Sequence, residues 1–232
     1  MANSQLIDFD KQLLLMLNGS DSVFLDALMD TLTTASTWIP FYVALFYMVL
    51  KNNENIRQIF LVVGCAVICV VLAGTVDDVL VKPFVARWRP THDPEIGYLV
   101  DVVDGYRGGK YGFFSAHAAN TFSIALFFSL VIRHWPFTAM VVLWSLVNCW
   151  TRVYLGVHYP GDILAGLLWG TVVALFAFWV YGRIGSTIQS ARGNFISSQY
   201  TSTGYRLREV YLVNTVLTLT FVYAIVKACI IA

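Results

Sequence analysis

Six long stretches without a single Asp, Glu, Lys or Arg limit what this chain can fold into. They cover residues 31–50, 58–76, 111–132, 134–151, 163–182 and 210–226. A helix needs about 20 mainly apolar residues to cross the hydrocarbon core of a bilayer, which is close to the length of each stretch. A soluble protein needs a largely polar surface, and helices formed by these six stretches would provide too few polar residues to cover one. The stretches therefore predict a multi-pass membrane protein with about six transmembrane helices.

The composition agrees with this reading and excludes two other classes of protein. Of the 232 residues, 58% are hydrophobic and 12% are charged, and the formal net charge is +1. A chain this apolar is not disordered, and it lacks the excess positive charge of a nucleic-acid-binding protein. We therefore predict an all-α helical bundle in which residues 1–232 form one membrane-embedded domain, without a nucleic acid partner.

The amino-terminal residues predict a helix that lies on the membrane surface. Residues 5–17 place four apolar side chains at helical spacing, with polar residues between them: Leu6, Phe9, Leu13 and Leu17. This amphipathic pattern is typical of an interfacial helix. Residues 22–34 either extend the first span or form a second surface helix, and the sequence leaves both alternatives open.

The distribution of charge predicts the orientation in the membrane. If the spans alternate, the connections at 51–57, 133 and 183–209 share one side, with seven basic and two acidic residues. The other side has eight basic and twelve acidic residues. Since cytoplasmic connections carry the excess of Lys and Arg, we predict an inner-membrane protein whose termini and 77–110 loop face the periplasm.

Three polar sequences lie between the predicted spans on the periplasmic side. They are residues 82–90, 114–117 and 151–162, and the 77–110 loop alone holds 11 of the 29 charged residues. Because helix parity brings all three sequences to one face, we expect their side chains to form a single site there.

The cations of these sequences predict a phosphate site. Lys82, Arg89 and Arg152 supply positive charge and many N–H donors, which complement a phosphate dianion and its transfer transition state. Ser115 stands just before a predicted span. Its hydroxyl and the first free backbone N–H groups of that helix, such as that of Ala116, can therefore bind the same phosphate oxygens.

Two histidines with different neighbours predict two catalytic roles. His158 precedes Pro160, and Asp162 lies four residues further on, within helical reach of the imidazole. A carboxylate there would fix the imidazole tautomer, so we expect His158 to attack phosphorus and to form a phosphohistidine. His117 would protonate the leaving group and later activate water.

The sequence predicts catalysis without a metal or another cofactor. It contains no HExxH motif and no carboxylate cluster interleaved with histidines at ligand spacing. A site rich in Lys and Arg also repels divalent cations. Taken singly, the basic residues could be a patch that contacts lipid headgroups, and His117 could be a hydrogen-bonded histidine at a helix end. Neither alternative accounts for the spacing of all three sequences.

These three sequences resemble the motifs of the type 2 phosphatidic acid phosphatase superfamily. The family pattern is K-x6-RP, then PSGH, then SR-x5-H-x3-D. The first motif is matched by Lys82, Arg89 and Pro90, and the third by Arg152, His158 and Asp162. The resemblance covers about residues 35–182, so that residues 207–230 are an additional carboxy-terminal span.

The chain departs from the family pattern at three positions. Phe114 and Ala116 stand where the family has Pro and Gly, and Thr151 replaces Ser. The resemblance implies His158 as nucleophile, Asp162 as its partner and His117 as general acid. It also implies that Lys82, Arg89, Ser115 and Arg152 surround the phosphate, which agrees with the reading from the residues.

Further sequence is similar to the branch of this family that contains lipid A phosphatases of Gram-negative bacteria. It comprises residues 89–95, 106–112 and 115–120. The resemblance implies hydrolysis of a lipid phosphate in the membrane, with lipid A preferred. Undecaprenyl diphosphate and phosphatidylglycerol phosphate are alternative substrates, and a non-catalytic lipid binder or transporter is the alternative class. Arg87 has no motif role and is expected at most to contact headgroups or the loop, while Asp77 and Asp78 either brace the cationic loop or are solvated.

Overall fold

The computed structural model describes residues 2–188 and 198–232, and within these ranges the regular secondary structure is helical, without a β-strand. This confirms the predicted all-α class. Arg192, one of the charges assigned to the cytoplasmic side, lies outside the described residues. The α-helices are α1 (Ala2–Leu17), α2 (Val23–Thr33), α3 (Ile39–Asn52), α4 (Ile56–Thr75), α5 (Lys82–Val85), α6 (Ala116–Ile132), α7 (Trp135–Tyr154), α8 (Pro160–Ile188) and α9 (Leu207–Ile231).

Three helical stretches are long and apolar enough to cross a membrane: Ile56–Val85, Pro160–Ser186 and Leu207–Ile231. A fourth span results if α2 and Ala35–Asn52, which are bent by 67° to each other, are counted together. Helix α6 is apolar but has only 17 residues. Helix α7 contains Asn148 and Arg152, which lower its hydropathy. The multi-pass character is therefore confirmed, and the number of six spans stays a prediction.

Residues 22–34 do not extend the first span as one straight helix. Ser22 caps α2 by accepting a hydrogen bond from the N–H of Leu25, and Thr34 adopts an extended conformation that ends the helix. The indole of Trp38 then donates to the carbonyl of Leu32 at 2.9 Å, which holds the bend. Residues 23–33 are thus a separate helix that does not continue straight into the first span.

Contacts at the two ends of the bundle define how the helices run. At one end, the side chain of Asn52 accepts from the N–H of Arg206, and Thr203 donates to the carbonyl of Ile132. At the other end, α7 finishes and α6 and α8 begin, which brings Ser115 and Asp162 into hydrogen-bond contact. Six helices, α3, α4, α6, α7, α8 and α9, run between these ends. The three polar sequences meet at the second end.

Helices α6 and α8 approach closely because α8 has glycines at the contact. A Cβ atom at Gly166 would lie 2.7 Å from the carbonyl oxygen of Ser115, and one at Gly170 would lie 2.7 Å from that of Ala119. Small residues four positions apart allow helix backbones to pack closely in membranes. This contact sets the beginning of α6 beside the beginning of α8.

Large apolar side chains cover the outer faces of the bundle. A soluble protein rarely exposes so many of them, whereas the hydrocarbon core of a membrane accommodates them. Examples on α4, α8 and α9 are Phe60, Val67, Leu168, Val172, Trp179, Leu219 and Tyr223.

The predicted amino-terminal helix is present as α1, which lies at the end where the polar sequences meet. Leu14 is fully buried there, while Leu6, Phe9 and Met16 are exposed. Its location at the membrane surface stays a prediction.

Candidate active site

Ser115 and His117 occupy the start of helix α6. Ser115 is the N-cap residue, and its hydroxyl accepts a hydrogen bond from the N–H of Ala118 at 3.4 Å. Its own N–H donates to the carbonyl of Asp162 at 3.1 Å, which joins α6 to α8. The first N–H groups of a helix have no partner within it, so those of Ala116 and His117 remain for a ligand. The side chain of His117 is exposed at this helix end.

A tight turn between α7 and α8 places His158 in the interior. Gly156 has φ +65°, and a Cβ atom there would collide with Val100. The N–H groups of Val157 and His158 both donate to the carbonyl of Arg152, at 3.1 and 3.2 Å. As a result, the His158 side chain is 1% exposed.

Asp162 lies beside His158, but its short hydrogen bonds go elsewhere. Its Oδ2 is 3.7 Å from Nδ1 of His158, which is long for a hydrogen bond. That oxygen accepts from the N–H of Tyr159 at 3.0 Å, and Oδ1 accepts from Arg87 at 2.7 Å. Within the described residues, Nδ1 of His158 has no hydrogen-bond partner. The predicted pair is therefore close in space without a direct hydrogen bond.

The surroundings of His158 favour its neutral form. Burial, and then the positive charges of Arg89, Arg152 and Lys82, lower the pKa of His158 well below its usual range. The backbone of Gly112 has a smaller effect in the opposite direction. A neutral imidazole has a free lone pair at neutral pH, which a nucleophile requires.

Arg89 and Arg152 are buried close together, with neutral partners only. Arg89 donates to the carbonyl of Tyr111 at 3.0 Å, and Arg152 donates to the hydroxyls of Thr33 at 2.6 Å and Tyr106 at 3.1 Å. Among the described residues, neither guanidinium forms an ion pair with a carboxylate.

The unpaired charges of these two guanidinium groups indicate an anion site. Burial, and then the charge of Arg152, lower the pKa of Arg89. A buried charge without a counter-ion is costly. A bound anion would remove this cost for Arg89 and Arg152 together.

Lys82 lies near the site, and its positive charge is neutralised by two aspartates. Its ammonium group lies 2.7 Å from the buried carboxylate of Asp77 and 2.6 Å from Asp78. Of the two readings of these aspartates, the structure supports the one in which they brace the cationic segment.

Sequence reasoning missed four residues at this end of the bundle: Asp10, Thr33, Arg87 and Tyr106. Arg87 was expected at most to contact headgroups or the loop, and this is corrected by its ion pairs with Asp162 and Asp10, each at 2.7 Å. Burial opposes its charge, but Asp162 and then Asp10 outweigh it and raise the pKa of Arg87. The proximity of Arg87 to Arg89 in the sequence was a usable signal. Tyr106 begins the stretch 106–112 that resembles the lipid A phosphatase branch, although no role was assigned to its side chain. Nothing local marked Asp10 or Thr33, since their partners are distant in the sequence.

The described residues contain no group of three or more His, Cys, Asp or Glu side chains that could hold a metal ion. They instead combine a buried cationic pair, two free N–H groups at a helix start and two histidines. Such a constellation suits reactions of phosphate esters. The fold and the site together define a helical membrane protein with a phosphate-handling site at one end of its bundle.

Comparison with known proteins identifies the family. The PAP2 superfamily matches residues 57–186. Lipid A 4'-phosphatase of Bacteroides thetaiotaomicron is 36% identical over 231 residues, which cover 96% of this chain and 98% of that protein. The chain therefore belongs to the PAP2 superfamily, as its motifs predicted. The predicted enzyme class, a phosphatase, is confirmed with it.

Other relatives are similar over shorter or more divergent stretches. Lipid A 4'-phosphatase of Porphyromonas gingivalis is 35% identical over 178 residues, 76% of this chain and 74% of that protein. Undecaprenyl-diphosphatase of Sulfolobus acidocaldarius is 25% identical over 180 residues, 76% of this chain and 81% of that protein. No solved structure matches the chain significantly.

Proposed function

We propose that this protein hydrolyses a phosphate monoester of lipid A, at the 4' position, in the inner membrane. The observation that carries the proposal is the buried pair Arg89 and Arg152, which lacks a carboxylate partner among the described residues and lies close enough to His158 to lower its pKa. The choice of lipid A rests on the relative that is 36% identical over nearly the whole chain.

The first step forms a phosphohistidine on His158. With its proton on Nδ1, which faces Asp162, the imidazole has its lone pair on Nε2. This nitrogen attacks phosphorus in line, and the bond from phosphorus to the sugar oxygen breaks. Arg89, Arg152 and the N–H groups at the start of α6 stabilise the charge on the phosphoryl oxygens. The departing oxygen takes a proton from His117.

The second step releases inorganic phosphate. The now neutral His117 removes a proton from a water molecule, and the hydroxide attacks the phosphohistidine. The bond between nitrogen and phosphorus breaks and His158 regains its lone pair. Both histidines then have their starting protonation states, so that one water is consumed for each phosphate released.

The experiment that tests this function uses purified protein in detergent with EDTA present. Lipid A carrying phosphate at both ends is the substrate, and the product is analysed by mass spectrometry. We expect a loss of about 80 daltons, the mass of one phosphoryl group replaced by hydrogen, from the 4' end. His158→Ala should abolish it. His134→Ala is the matched control, because His134 lies at the start of α7, at the opposite end of that helix from Arg152.

Two results would contradict the proposal. Phosphate release that persists in His158→Ala would exclude His158 as the nucleophile. Activity that appears only on addition of a divalent metal would exclude the metal-independent route.

Undecaprenyl diphosphate is the second candidate substrate, and the similarity to an undecaprenyl-diphosphatase over 76% of the chain favours it. Parallel assays with both lipids distinguish the candidates. If kcat/KM is higher for the prenyl diphosphate, the choice of lipid A is wrong, although the proposed chemistry stands. A lipid transporter would instead move labelled lipid equally well in wild type and in His158→Ala. A protein that only binds lipid phosphate needs the cations but neither histidine, so the presence of both favours an enzyme.

We further propose that the site faces the periplasm. Tyr98 is 81% exposed in the loop beside the site. In a variant whose native cysteines are replaced by serine, Tyr98→Cys should react with an impermeant maleimide in intact spheroplasts. Glu54→Cys, at the opposite end of the bundle, should react only after permeabilisation. The reverse pattern would overturn the orientation.

A further inference from the structure

Arg87 joins the amino-terminal helix to the carboxylate beside His158. Its Nη1 donates to Oδ1 of Asp162 at 2.7 Å, and its Nη2 donates to Oδ2 of Asp10 at 2.7 Å. The guanidinium also lies over the ring of Tyr159, 4.1 Å from the ring centroid. Its orientation is therefore fixed from three sides.

Asp10 makes a second contact at the same place. Its Oδ1 accepts from the backbone N–H of Gly161 at 2.8 Å, in the first turn of α8. One carboxylate of α1 thus holds both Arg87 and the helix that carries Asp162. Because N–H groups in the first turn of a helix have no partner within it, this bond also satisfies a donor that would otherwise need water.

Asp10 also sets the net charge beside His158. With it, the group Asp10, Arg87 and Asp162 carries one net negative charge. Without it, Arg87 would fully compensate Asp162 and the net charge would be zero. Other charged or titratable groups that act on His158 are Arg89, Arg152, Lys82 and His117. The carboxylates of Asp77 and Asp78 are paired with Lys82. The negative charge beside Nδ1 of His158 comes from the group that includes Asp10.

We propose that Asp10 is a positioning residue for catalysis, which acts through Arg87 and Gly161 to hold Asp162 beside His158 with its negative charge effective. This rests on the proposed function. Asp10 lies outside residues 57–186, which match the family model. Helix α1 thus contributes to the site from outside the matched region.

Separate contacts dock α1, so its position does not depend on Asp10 alone. Lys11 forms ion pairs with Asp93 at 3.1 Å and Glu95 at 2.6 Å. Asp93 in turn accepts a hydrogen bond from the hydroxyl of Tyr159 at 2.8 Å. The ion pairs of Lys11 themselves involve neither Arg87 nor Asp162, so a substitution of Lys11 can separate docking of α1 from positioning of Asp162.

The first test compares Asp10→Asn with two controls on the same helix. Asn keeps the shape but has only one acceptor oxygen for two donors, so we expect kcat to fall about tenfold or more with KM changed less than about twofold. Asp8→Asn removes an exposed carboxylate, and Lys11→Met removes the docking ion pairs. Both should retain kcat within about twofold of wild type.

A second variant displaces the carboxylate without removing its charge. A Cβ atom at Gly161 would lie 2.7 Å from Oδ2 of Asp10, the flexible end of that side chain. Gly161→Ala should therefore lower kcat as Asp10→Asn does. Gly64→Ala is the matched control, since a Cβ atom there meets nothing within 4 Å.

The third measurement is independent of any substrate. NMR of protein labelled at its four histidines, with His158 assigned through His158→Ala, follows the titration midpoint of His158. Removal of a nearby negative charge should lower this midpoint by about half a pH unit or more in Asp10→Asn.

The outcomes separate the possibilities. Unchanged kcat and an unchanged His158 midpoint in Asp10→Asn would overturn the proposal. An equal loss of kcat in Lys11→Met would also overturn it, because docking of α1 would then be the cause. If wild type hydrolyses no lipid phosphate, the proposed function fails, and the His158 midpoint still decides whether Asp10 acts on that residue.

Discussion

At the scale of single residues, the site is defined by which charges have partners. Lys82 is paired with Asp77 and Asp78, and Arg87 with Asp10 and Asp162, whereas Arg89 and Arg152 contact neutral groups only among the described residues. An unpaired buried charge is expensive to maintain in a folded protein. The two unpaired arginines are therefore the part of the site that a phosphate would stabilise.

A phosphate analogue should consequently stabilise the fold through these two arginines. We expect orthovanadate to raise the apparent Tm of the detergent-solubilised protein, since a ligand at 100 times its Kd adds about 2.7 kcal/mol. Arg152→Lys removes the guanidinium group that donates to both Thr33 and Tyr106. The increase of Tm caused by orthovanadate should therefore be much smaller, and kcat/KM should fall about 100-fold. Arg183→Lys, an exposed arginine of α8, is the control, and an equal vanadate shift in both variants would contradict the prediction.

The lowered pKa of His158 predicts how stability depends on pH. An unfolded chain binds a proton at a histidine near pH 6.5, whereas folded His158 resists protonation until a lower pH. The unfolded state therefore binds more protons in this window, and stability is lost as the pH falls below about 6.5.

Thermal unfolding between pH 7.5 and 5 measures this effect. The apparent Tm of His158→Asn should fall less steeply with decreasing pH than that of wild type. Burial also lowers the pKa of His134, but this histidine is present in both proteins and cancels in the comparison. Identical slopes would mean that His158 is not held neutral.

At the scale of elements, the contact between α6 and α8 assembles the site. Ser115 and His117 stand at the start of one helix, and Asp162 in the first turn of the other. Gly166 lets the two backbones approach, because a Cβ atom there would meet the carbonyl oxygen of Ser115. A small residue at this position therefore determines the distance between the phosphate-binding helix start and the nucleophile.

Gly166→Ala should separate these helix starts. A Cβ atom 2.7 Å from a backbone oxygen cannot be accommodated by a side-chain rotation, so the helices must shift. We expect kcat to fall at least about tenfold and the apparent Tm to decrease. Gly182→Ala on the same helix is the control, since a Cβ atom there meets nothing within 4 Å and alanine favours a helix. A similar effect of both variants would show that the approach at Gly166 is unimportant.

At the scale of the whole molecule, polar and apolar residues occupy different parts of the helical bundle. The polar sequences meet at one end, and the outer faces of the helices between the ends carry exposed apolar side chains such as Phe60, Leu168 and Trp179. An enzyme of this shape can bind a phosphate at the membrane surface while the lipid chains of its substrate stay in the bilayer. That arrangement suits a lipid phosphate better than a soluble one.

This sorting predicts the behaviour of the protein on extraction. Because the apolar faces need lipid or detergent around them, the protein should stay in the membrane pellet after washing with alkaline carbonate and should dissolve in detergent. Appearance in the carbonate supernatant would contradict the multi-pass arrangement.

The sequence by itself determined the class of protein, the family and most of the candidate site. Charge-free stretches indicate local burial, and motif spacings such as the four residues from His158 to Asp162 are short, so both can be read along the chain. The position of Lys82, Arg89 and Arg152 at one end followed from helix parity. The sequence did not determine the number of spans, because length and hydropathy do not separate a short span such as α6 from a buried helix.

Only the tertiary structure decided which charges pair and which stay free. Arg87 meets a carboxylate 77 residues away in Asp10 and another 75 residues away in Asp162. Arg152 meets Thr33 over 119 residues. Such pairs depend on how closely and at what angle the helices pack, which is set by contacts such as Gly166 against Ser115. No local pattern encodes that distance, because it results from the packing of all the helices together.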